Sequence, residues 1–128
     1  MVSAQTDGIQ VSVETNYYPE GSNPQYSFYL FAYHITIHNL TRFTVQLLRR
    51  HWYIWDGDGS KREVEGEGVV GVQPVLEPGT SYQYTSACNL QTEFGHMYGS
   101  FLMVRLQDNH QFWVQIPDFK MAVPYRLN

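Results

Sequence analysis

Residues 26–39 read YSFYLFAYHITIHN, and this stretch decides the fold. Its large apolar side chains stand at every second position, and the positions between them turn polar at His34, Thr36 and His38. Successive side chains of a β-strand point to opposite faces of a sheet, so this alternation is typical of a strand with one buried face. The sequence therefore predicts a long strand whose buried face consists of Tyr29, Phe31, Tyr33, Ile35 and Ile37.

Further runs of β-branched and aromatic residues lie on both sides of this strand, and clusters of turn-forming residues separate them. The predicted strands are residues 10–17, 26–39, 43–55, 61–65, 81–87, 97–106 and 111–116. The pair Leu47-Leu48 breaks the alternation of the third strand, which predicts a bulge near Arg49. Pro117 is expected to end the last strand and to leave residues 119–128 as an irregular tail.

About seven strands joined by turns favour an all-β fold, an antiparallel β-sandwich of the immunoglobulin or fibronectin type III kind. A small barrel is the alternative. The chain has 128 residues, and one domain over residues 1–128 is expected, because domains commonly hold about 100–150 residues. No internal repeat or low-complexity segment divides the sequence.

The composition limits the classes of function. Eight lysines and arginines against twelve aspartates and glutamates give a formal net charge of −4, which argues against a nucleic-acid partner held by general phosphate contacts. Cys88 is the only cysteine, so an internal disulfide and an all-cysteine zinc site are excluded, and a reducing compartment fits. A secretory signal pattern and a run of about 18 apolar residues are both missing, so we expect a cytoplasmic protein without membrane insertion.

Residues 66–71 read GEGVVG and match the G-x-G-x-x-G pattern of dinucleotide-binding loops. That pattern functions when it opens a helix whose N-terminus holds pyrophosphate, and Pro74 and Pro78 leave no room for such a helix. Two interpretations stay open. The glycines either serve a connecting loop that needs positive φ, or their N–H groups converge on a phosphate-containing ligand; the residues concerned are Gly66, Gly68 and Gly71.

Arg49-Arg50-His51 is the densest cationic stretch, and Trp52 and Tyr53 follow it. Alternation in the predicted strand places Arg50 on the opposite face from Arg49 and His51. One hypothesis is an anion or nucleotide site at Arg49 or Arg50 that uses guanidinium hydrogen bonds and aromatic stacking. The alternative is an exposed strand with one arginine at the rim of the core.

Asp56, Asp58, Ser60 and Glu67 occupy the first, third, fifth and twelfth places of an EF-hand calcium loop. Lys61 stands where that loop needs glycine, and the flanking segments are predicted strands, so a plain hairpin turn is favoured. Weak binding of Mg²⁺ or Co²⁺ by Asp56 and Asp58 stays open, since magnesium is often held by one or two carboxylates. The five histidines include no His-x-His pair.

The sequence contains no recognisable catalytic arrangement. Ser86 and Cys88 are close to each other, yet no base can be identified beside either, and a nucleophile without its base is not a catalytic site. We therefore expect a protein that is not an enzyme and needs no cofactor.

Several motifs in order resemble the bacterial ApaG family, whose domain also occurs as a module in some eukaryotic F-box and polymerase-interacting proteins. They are FAYHITI at residues 31–37, VQLLRRHW at 45–52, GEGVVGVQP at 66–74, YTS at 84–86 and MYGSF at 97–101. The resemblance covers nearly the whole chain and implies a fibronectin type III-like sandwich. It also implies a genetic link to cobalt resistance and magnesium efflux, a gene often beside that of a diadenosine tetraphosphate hydrolase, and a glycine-rich loop considered as a pyrophosphate site.

The leading functional hypothesis is a non-enzymatic, regulatory binding module that presents loops and an edge strand to an unknown protein partner. The alternative is a small-ligand sensor. In that case the amides of Gly66, Gly68 and Gly71, aided by Arg49 or Arg50, hold pyrophosphate, a dinucleoside polyphosphate or its magnesium complex. A ligand that raises the unfolding temperature would favour the sensor.

Overall fold

The computed structural model describes residues 1–126, which form nine β-strands in two antiparallel sheets. The strands are β1 (Val2–Thr6), β2 (Ile9–Tyr17), β3 (Tyr29–Asn39), β4 (Val45–Asp56), β5 (Lys61–Glu67), β6 (Val75–Leu76), β7 (Ser81–Leu90), β8 (Phe94–Arg105) and β9 (His110–Ala122). Short 3₁₀ turns lie at Pro19–Gly21, Pro24–Tyr26 and Pro124–Arg126. None of residues 1–126 belongs to a helix long and apolar enough to cross a membrane. The β-sandwich prediction is confirmed.

One sheet has the strand order β1-β2-β3-β7, and the other has the order β5-β4-β8-β9 with the short β6 beside β4. Strands β1 and β2 pack against β9, which closes one side of the sandwich. On this side the amide of Gln115 donates a hydrogen bond of 3.1 Å to Oγ1 of Thr6. The edge strands β5 and β7 lie on the other side, where the two sheets leave a cleft.

The buried face that the alternation in residues 29–39 predicts is confirmed. Tyr29 is half-buried, and the next four odd-numbered side chains of β3 are buried. They pack against apolar side chains of the other sheet, among them Leu47, Trp52, Phe101, Met103, Ile116 and Met121. The predicted bulge is also confirmed, because the register between β4 and β8 shifts between Leu47 and Arg49.

Two strand predictions are wrong at the ends of the chain. Strand β1 was not anticipated; Asp7 and Gly8, with φ of 49° and 80°, form the turn that pairs it with β2. Pro117 does not end β9, because the register shifts between Met97 and Gly99 and the proline falls at this irregularity. There its missing N–H removes no ladder hydrogen bond.

The expected irregular tail is therefore a strand as far as Ala122. Phe119, Met121 and Val123 are buried in the core. The last two residues of that expected tail lie outside the described residues.

Candidate functional site

The open side of the sandwich forms a cavity of about 320 Å³ between β5 and β7, which we call the inter-sheet cleft. Apolar side chains of the core, including Trp52 and Met97, form part of its wall. The polar groups of the cleft come from four strands, and they belong to Tyr33, Arg50, Arg62, Ser86 and Cys88. A concave site with an apolar wall and a few converging polar groups is typical of a ligand site.

Arg50 projects from the inner face of β4 and is half-buried. Its Nη1 donates hydrogen bonds of 3.0 Å to the carbonyl oxygens of Glu67 and Gly68. These bonds hold the guanidinium above Gly66, the residue that pairs with Arg50 across β4 and β5. No carboxylate within residues 1–126 forms an ion pair with Arg50.

Arg62 enters the same cleft from β5. Its Nη2 donates to the carbonyl oxygen of Asn89 and lies 3.4 Å from Sγ of Cys88, so the side chain connects the edges of the two sheets. The residue opposite Arg62 in β4 is Ile54, four residues from Arg50, which separates the two arginine backbones by about 13 Å along the strand. In the part of the chain that the structure describes, Arg62 also has no carboxylate ion partner.

Three hydroxyl groups lie near the Arg50 end of the cleft. Burial raises the pKa of Tyr33, while a hydrogen bond with Ser86 and the charge of Arg50 act in the opposite direction. Burial also raises the pKa of Tyr84, and Arg50 again opposes this. The Tyr84 hydroxyl is buried without a hydrogen-bond partner among the described residues. An unpaired buried hydroxyl costs free energy.

Cys88 and Ser86 do not form a nucleophilic pair with a base. Burial raises the pKa of the Cys88 thiol above its ordinary value, and the nearby Arg62 only partly opposes this, so the thiol is protonated at neutral pH. The guanidinium of Arg62 cannot accept a proton. This arrangement suits binding better than nucleophilic catalysis.

The glycine-rich segment ends β5 and then makes a tight turn. The amide of Gly68 donates to the carbonyl of Leu48, and Val69 and Val72 exchange hydrogen bonds of 2.8 and 3.0 Å. The turn residues Val70 and Gly71 have φ of 48° and 77°, as in a type I′ turn. No helix starts behind this segment, as predicted. Three of the five amides from residue 68 to residue 72 thus donate to main-chain carbonyls.

The other predicted site residues, Arg49, Asp56 and Asp58, lie outside the lining of the inter-sheet cleft. Arg49 is exposed and points away from the inter-sheet cleft, whereas the structure brings Arg50 together with Gly66 and Gly68. Asp56 accepts hydrogen bonds from the amides of Gly57, Gln91 and Thr92 and thereby joins two turns.

Asp58 has a similar role within its own turn. It accepts bonds of 2.9 and 2.7 Å from the amide and hydroxyl of Ser60, and these bonds lower the pKa of Asp58. The carboxylates of Asp56 and Asp58 therefore already have protein donors.

Sequence reasoning missed Arg62 of this site and also the unpaired, buried hydroxyl of Tyr84. The sequence does not single out Arg62, because alternation in an exposed edge strand does not reveal which face meets the other sheet. The signal that could have helped is Val64, which shares the inner face with Arg62. Nothing in the sequence indicates that the Tyr84 hydroxyl lacks a partner.

Comparison with known proteins gives consistent results. The family model for the ApaG domain matches residues 19–105. Protein ApaG of Azotobacter vinelandii is 50% identical over 120 residues, which cover 94% of each chain. Protein ApaG of Brucella suis biovar 1 is 48% identical over 124 residues, covering 97% of this chain and 95% of the relative. A crystal structure from Bordetella pertussis, described as an ApaA protein, has a TM-score of 0.87 at 40% identity and covers 97% and 98% of the two chains.

Proposed function

The chain belongs to the ApaG family, and from this premise we propose that it is a non-enzymatic binding module whose inter-sheet cleft holds a phosphate-bearing ligand. One observation carries the proposal. Arg50 and Arg62 enter a single cleft from adjacent strands, and neither has a carboxylate ion partner within residues 1–126. Arg50 is half-buried and Arg62 is exposed at the rim of the cleft, and two positive groups that face one concave site attract an anionic ligand.

The chemistry of the guanidinium group favours phosphate over a single carboxylate. Arginine offers five N–H donors in a planar arrangement that matches phosphate oxygens. The contacts with main-chain carbonyls engage Nη1 of Arg50 and Nη2 of Arg62, which positions both groups and leaves donors on their other nitrogens. The cleft is therefore organised before the ligand arrives, which lowers the entropy cost of binding.

The spacing of the two arginines favours a ligand with more than one phosphate group. Their backbones are about 13 Å apart along the strand direction, and the cavity of about 320 Å³ lies between them. A polyphosphate chain can extend from one arginine toward the other, whereas a single phosphate can contact one. The hydroxyl of Tyr33 would add a hydrogen bond at the Arg50 end.

Calorimetric titration with inorganic pyrophosphate tests this proposal, with tripolyphosphate and ATP as further ligands. We expect binding and a higher unfolding temperature, since a ligand at about one hundred times its dissociation constant adds about 2.7 kcal/mol of stability. Arg62→Gln should weaken binding at least tenfold. Arg49→Gln is the matched control and should have no effect, because Arg49 points away from the cleft. An absence of heat and of thermal shift with all three ligands would contradict the proposal.

The edge strands of the sandwich support a second candidate function, docking of a protein partner. Among the described strands β7 pairs only with β3, and β5 pairs only with β4, so each has a free edge. The carbonyl of Asn89 points to the free edge of β7, where Arg62 binds it, and the backbone of Ala87 shares this direction. An extended segment of a partner can add to such an edge as a further strand.

We propose a regulatory, cytoplasmic role for this docking, in line with the family's genetic link to cobalt resistance and magnesium efflux. Ala87→Pro removes one donor from the free edge of β7. A partner recovered by affinity capture with the wild-type protein should be lost with this variant and retained with Ala4→Pro, which alters the distant strand β1. Equal recovery with both variants would contradict docking at β7.

A further inference from the structure

A second group of polar side chains lies on the outer face of β4 and β5, opposite the inter-sheet cleft. His51 pairs with Glu65 across these strands, and Glu63 is the diagonal neighbour. Nε2 of His51 is 3.1 Å from Oε2 of Glu63, and Nδ1 is 4.0 Å from Oε1 of Glu65. One potential ligand atom from each residue lies within 4.8 Å of the other two. We propose that His51, Glu63 and Glu65 bind a divalent transition-metal ion of the zinc type.

The distance between Nε2 of His51 and Glu63 is close to that of a metal-bound pair, which makes Nε2 the ligand atom of the histidine. Glu65 is nearer to Nδ1, the other ring nitrogen, so its carboxylate must turn toward Nε2. With metal–nitrogen and metal–oxygen distances of about 2.0–2.2 Å, tetrahedral ligands lie about 3.3 Å from one another. The His51–Glu63 distance of 3.1 Å already meets this requirement. The side chains of Glu63 and Glu65 are 47% and 57% exposed, so each can rotate to complete the site. Three protein ligands leave the fourth position to water.

The imidazole of His51 is held in place by the aromatic side chains beside it. It stacks on Tyr53 with ring centroids 4.6 Å apart and an interplanar angle of 18°. Tyr53 in turn stacks on Tyr98 at 5.2 Å. A ligand that is already oriented loses less conformational freedom when the metal binds, which favours affinity. Because of this packing, the imidazole of His51 is more firmly oriented than that of an ordinary exposed histidine.

The charges around the cluster favour a cation. Neutral imidazole with two carboxylates carries two negative charges, which a divalent ion neutralises. Lys61 is the nearby competitor, with Nζ 4.0 Å from Oε1 of Glu63. Its ammonium also lies over the rings of Tyr53 and Trp55, so it keeps these contacts when a metal occupies the carboxylate.

The donor set selects among metals. One imidazole nitrogen with two carboxylate oxygens suits zinc and similar transition metals, whereas magnesium prefers six oxygen ligands and retains several waters. We therefore expect this site to bind Zn²⁺ far more tightly than Mg²⁺. The bound ion would join the edge strand β5 to β4 and stabilise the hairpin.

Calorimetric titration of the full chain with zinc chloride at pH 7.5, in a buffer that does not bind metals, tests the proposal. We expect one Zn²⁺ per chain, a higher unfolding temperature, and no comparable response to magnesium chloride. His51→Gln should weaken Zn²⁺ binding by ~100-fold or more, because even outer-sphere partners of a metal ligand contribute about 10–100-fold. Glu65→Gln should weaken it at least tenfold.

His96→Gln is the matched control, because His96 is also stacked on the same face but meets a single carboxylate, that of Asp118 at 3.0 Å. This variant should keep wild-type Zn²⁺ affinity. Glu65 is exposed, so Glu65→Gln is expected to fold even if His51→Gln does not. Unchanged affinity in Glu65→Gln, or a loss confined to His96→Gln, would overturn the proposal.

Discussion

The guanidinium of Arg50 lies against the backbone of Gly66, its partner across β4 and β5. A Cβ atom on Gly66 would be 2.9 Å from Nη1 and 3.1 Å from Cζ of Arg50, closer than ordinary side-chain contacts allow. The first glycine of the G-x-G-x-x-G pattern thus makes room for an arginine side chain. The motif shapes the inter-sheet cleft through Arg50, with no helix N-terminus involved.

Gly66→Ala should therefore displace Arg50 and weaken pyrophosphate binding at least tenfold. The free energy of unfolding should change by less than about 1 kcal/mol, because the end of an arginine side chain can move and φ at Gly66 is not positive. Calorimetric titration and urea unfolding measure the two effects separately.

Gly71→Ala is the informative control for this change. Its φ of 77° makes alanine unfavourable, so about 1–2 kcal/mol of stability should be lost. Pyrophosphate affinity should stay at the wild-type value, because Gly71 is at the turn and not in the wall of the cleft. If Gly71→Ala removed binding and Gly66→Ala did not, the amides of the turn would be the anion site instead.

The periodicity of the sequence was sufficient to predict the interior of the fold. Alternation in β3 identified the buried face, and the Leu47-Leu48 pair identified the bulge, because both depend on local pattern alone. Strand β1 was missed because most of its side chains are exposed, and its alternation consists only of Val2 and Ala4, too short to indicate a strand. The continuation of β9 past Pro117 depends on a register shift against β8, which the sequence of β9 does not contain.

The two candidate sites differ in how far sequence could predict them. Alternation correctly placed Arg50 on the opposite face of β4 from Arg49 and His51. The placement of Arg50 and Arg62 in one cleft requires the register of the β4–β5 hairpin, which the turn at residues 56–60 sets. The same register brings His51 to Glu65. A predicted hairpin without a predicted register therefore reveals neither site.

Asn39 is a buried hydrogen-bond centre, and its removal should destabilise the fold strongly. Its Nδ2 donates to the carbonyls of Phe43 and Leu76 at 2.8 and 3.0 Å, and its Oδ1 accepts from the amide and hydroxyl of Thr41. Asn39→Ala leaves these buried groups unpaired, so we expect a loss of about 2–4 kcal/mol in urea unfolding. Asn16→Ala, in the half-exposed part of β2, should cost less than about 1 kcal/mol. Equal losses would show that the buried bonds contribute little.

Val70 has a strained backbone, and relieving this strain should stabilise the protein. Its φ of 48° is unfavourable for a β-branched residue, and its side chain is 64% exposed. Asparagine tolerates this conformation, so Val70→Asn should add about 1 kcal/mol and raise the unfolding temperature by about 3–5 °C. The matched change Val72→Asn, at a position without positive φ, should bring no gain. A lower unfolding temperature for Val70→Asn would contradict this account of the turn.

Arg105 and Asp108 should make stability depend on pH in the acid range. Nε and Nη2 of Arg105 donate bonds of 3.0 and 2.7 Å to the two carboxylate oxygens, and these bonds lower the pKa of Asp108 from 3.8 to about 2. A carboxylate with a lowered pKa stabilises the folded state above its unfolded pKa, and this contribution disappears as pH falls through the folded pKa. The wild-type protein should therefore exceed Asp108→Asn in stability at pH 5, with the difference declining between about pH 4 and pH 2.

Urea unfolding of both proteins at several pH values between 5 and about 2 measures this difference. Arg105→Gln removes the donors while leaving Asp108 in place, so the pKa of Asp108 should return toward its ordinary value and most of the decline below pH 4 should be absent. The pair is exposed, so added salt should reduce the difference at pH 5 as well. A wild-type advantage over Asp108→Asn that is the same at pH 5 and pH 2 would mean that the ionised carboxylate contributes nothing.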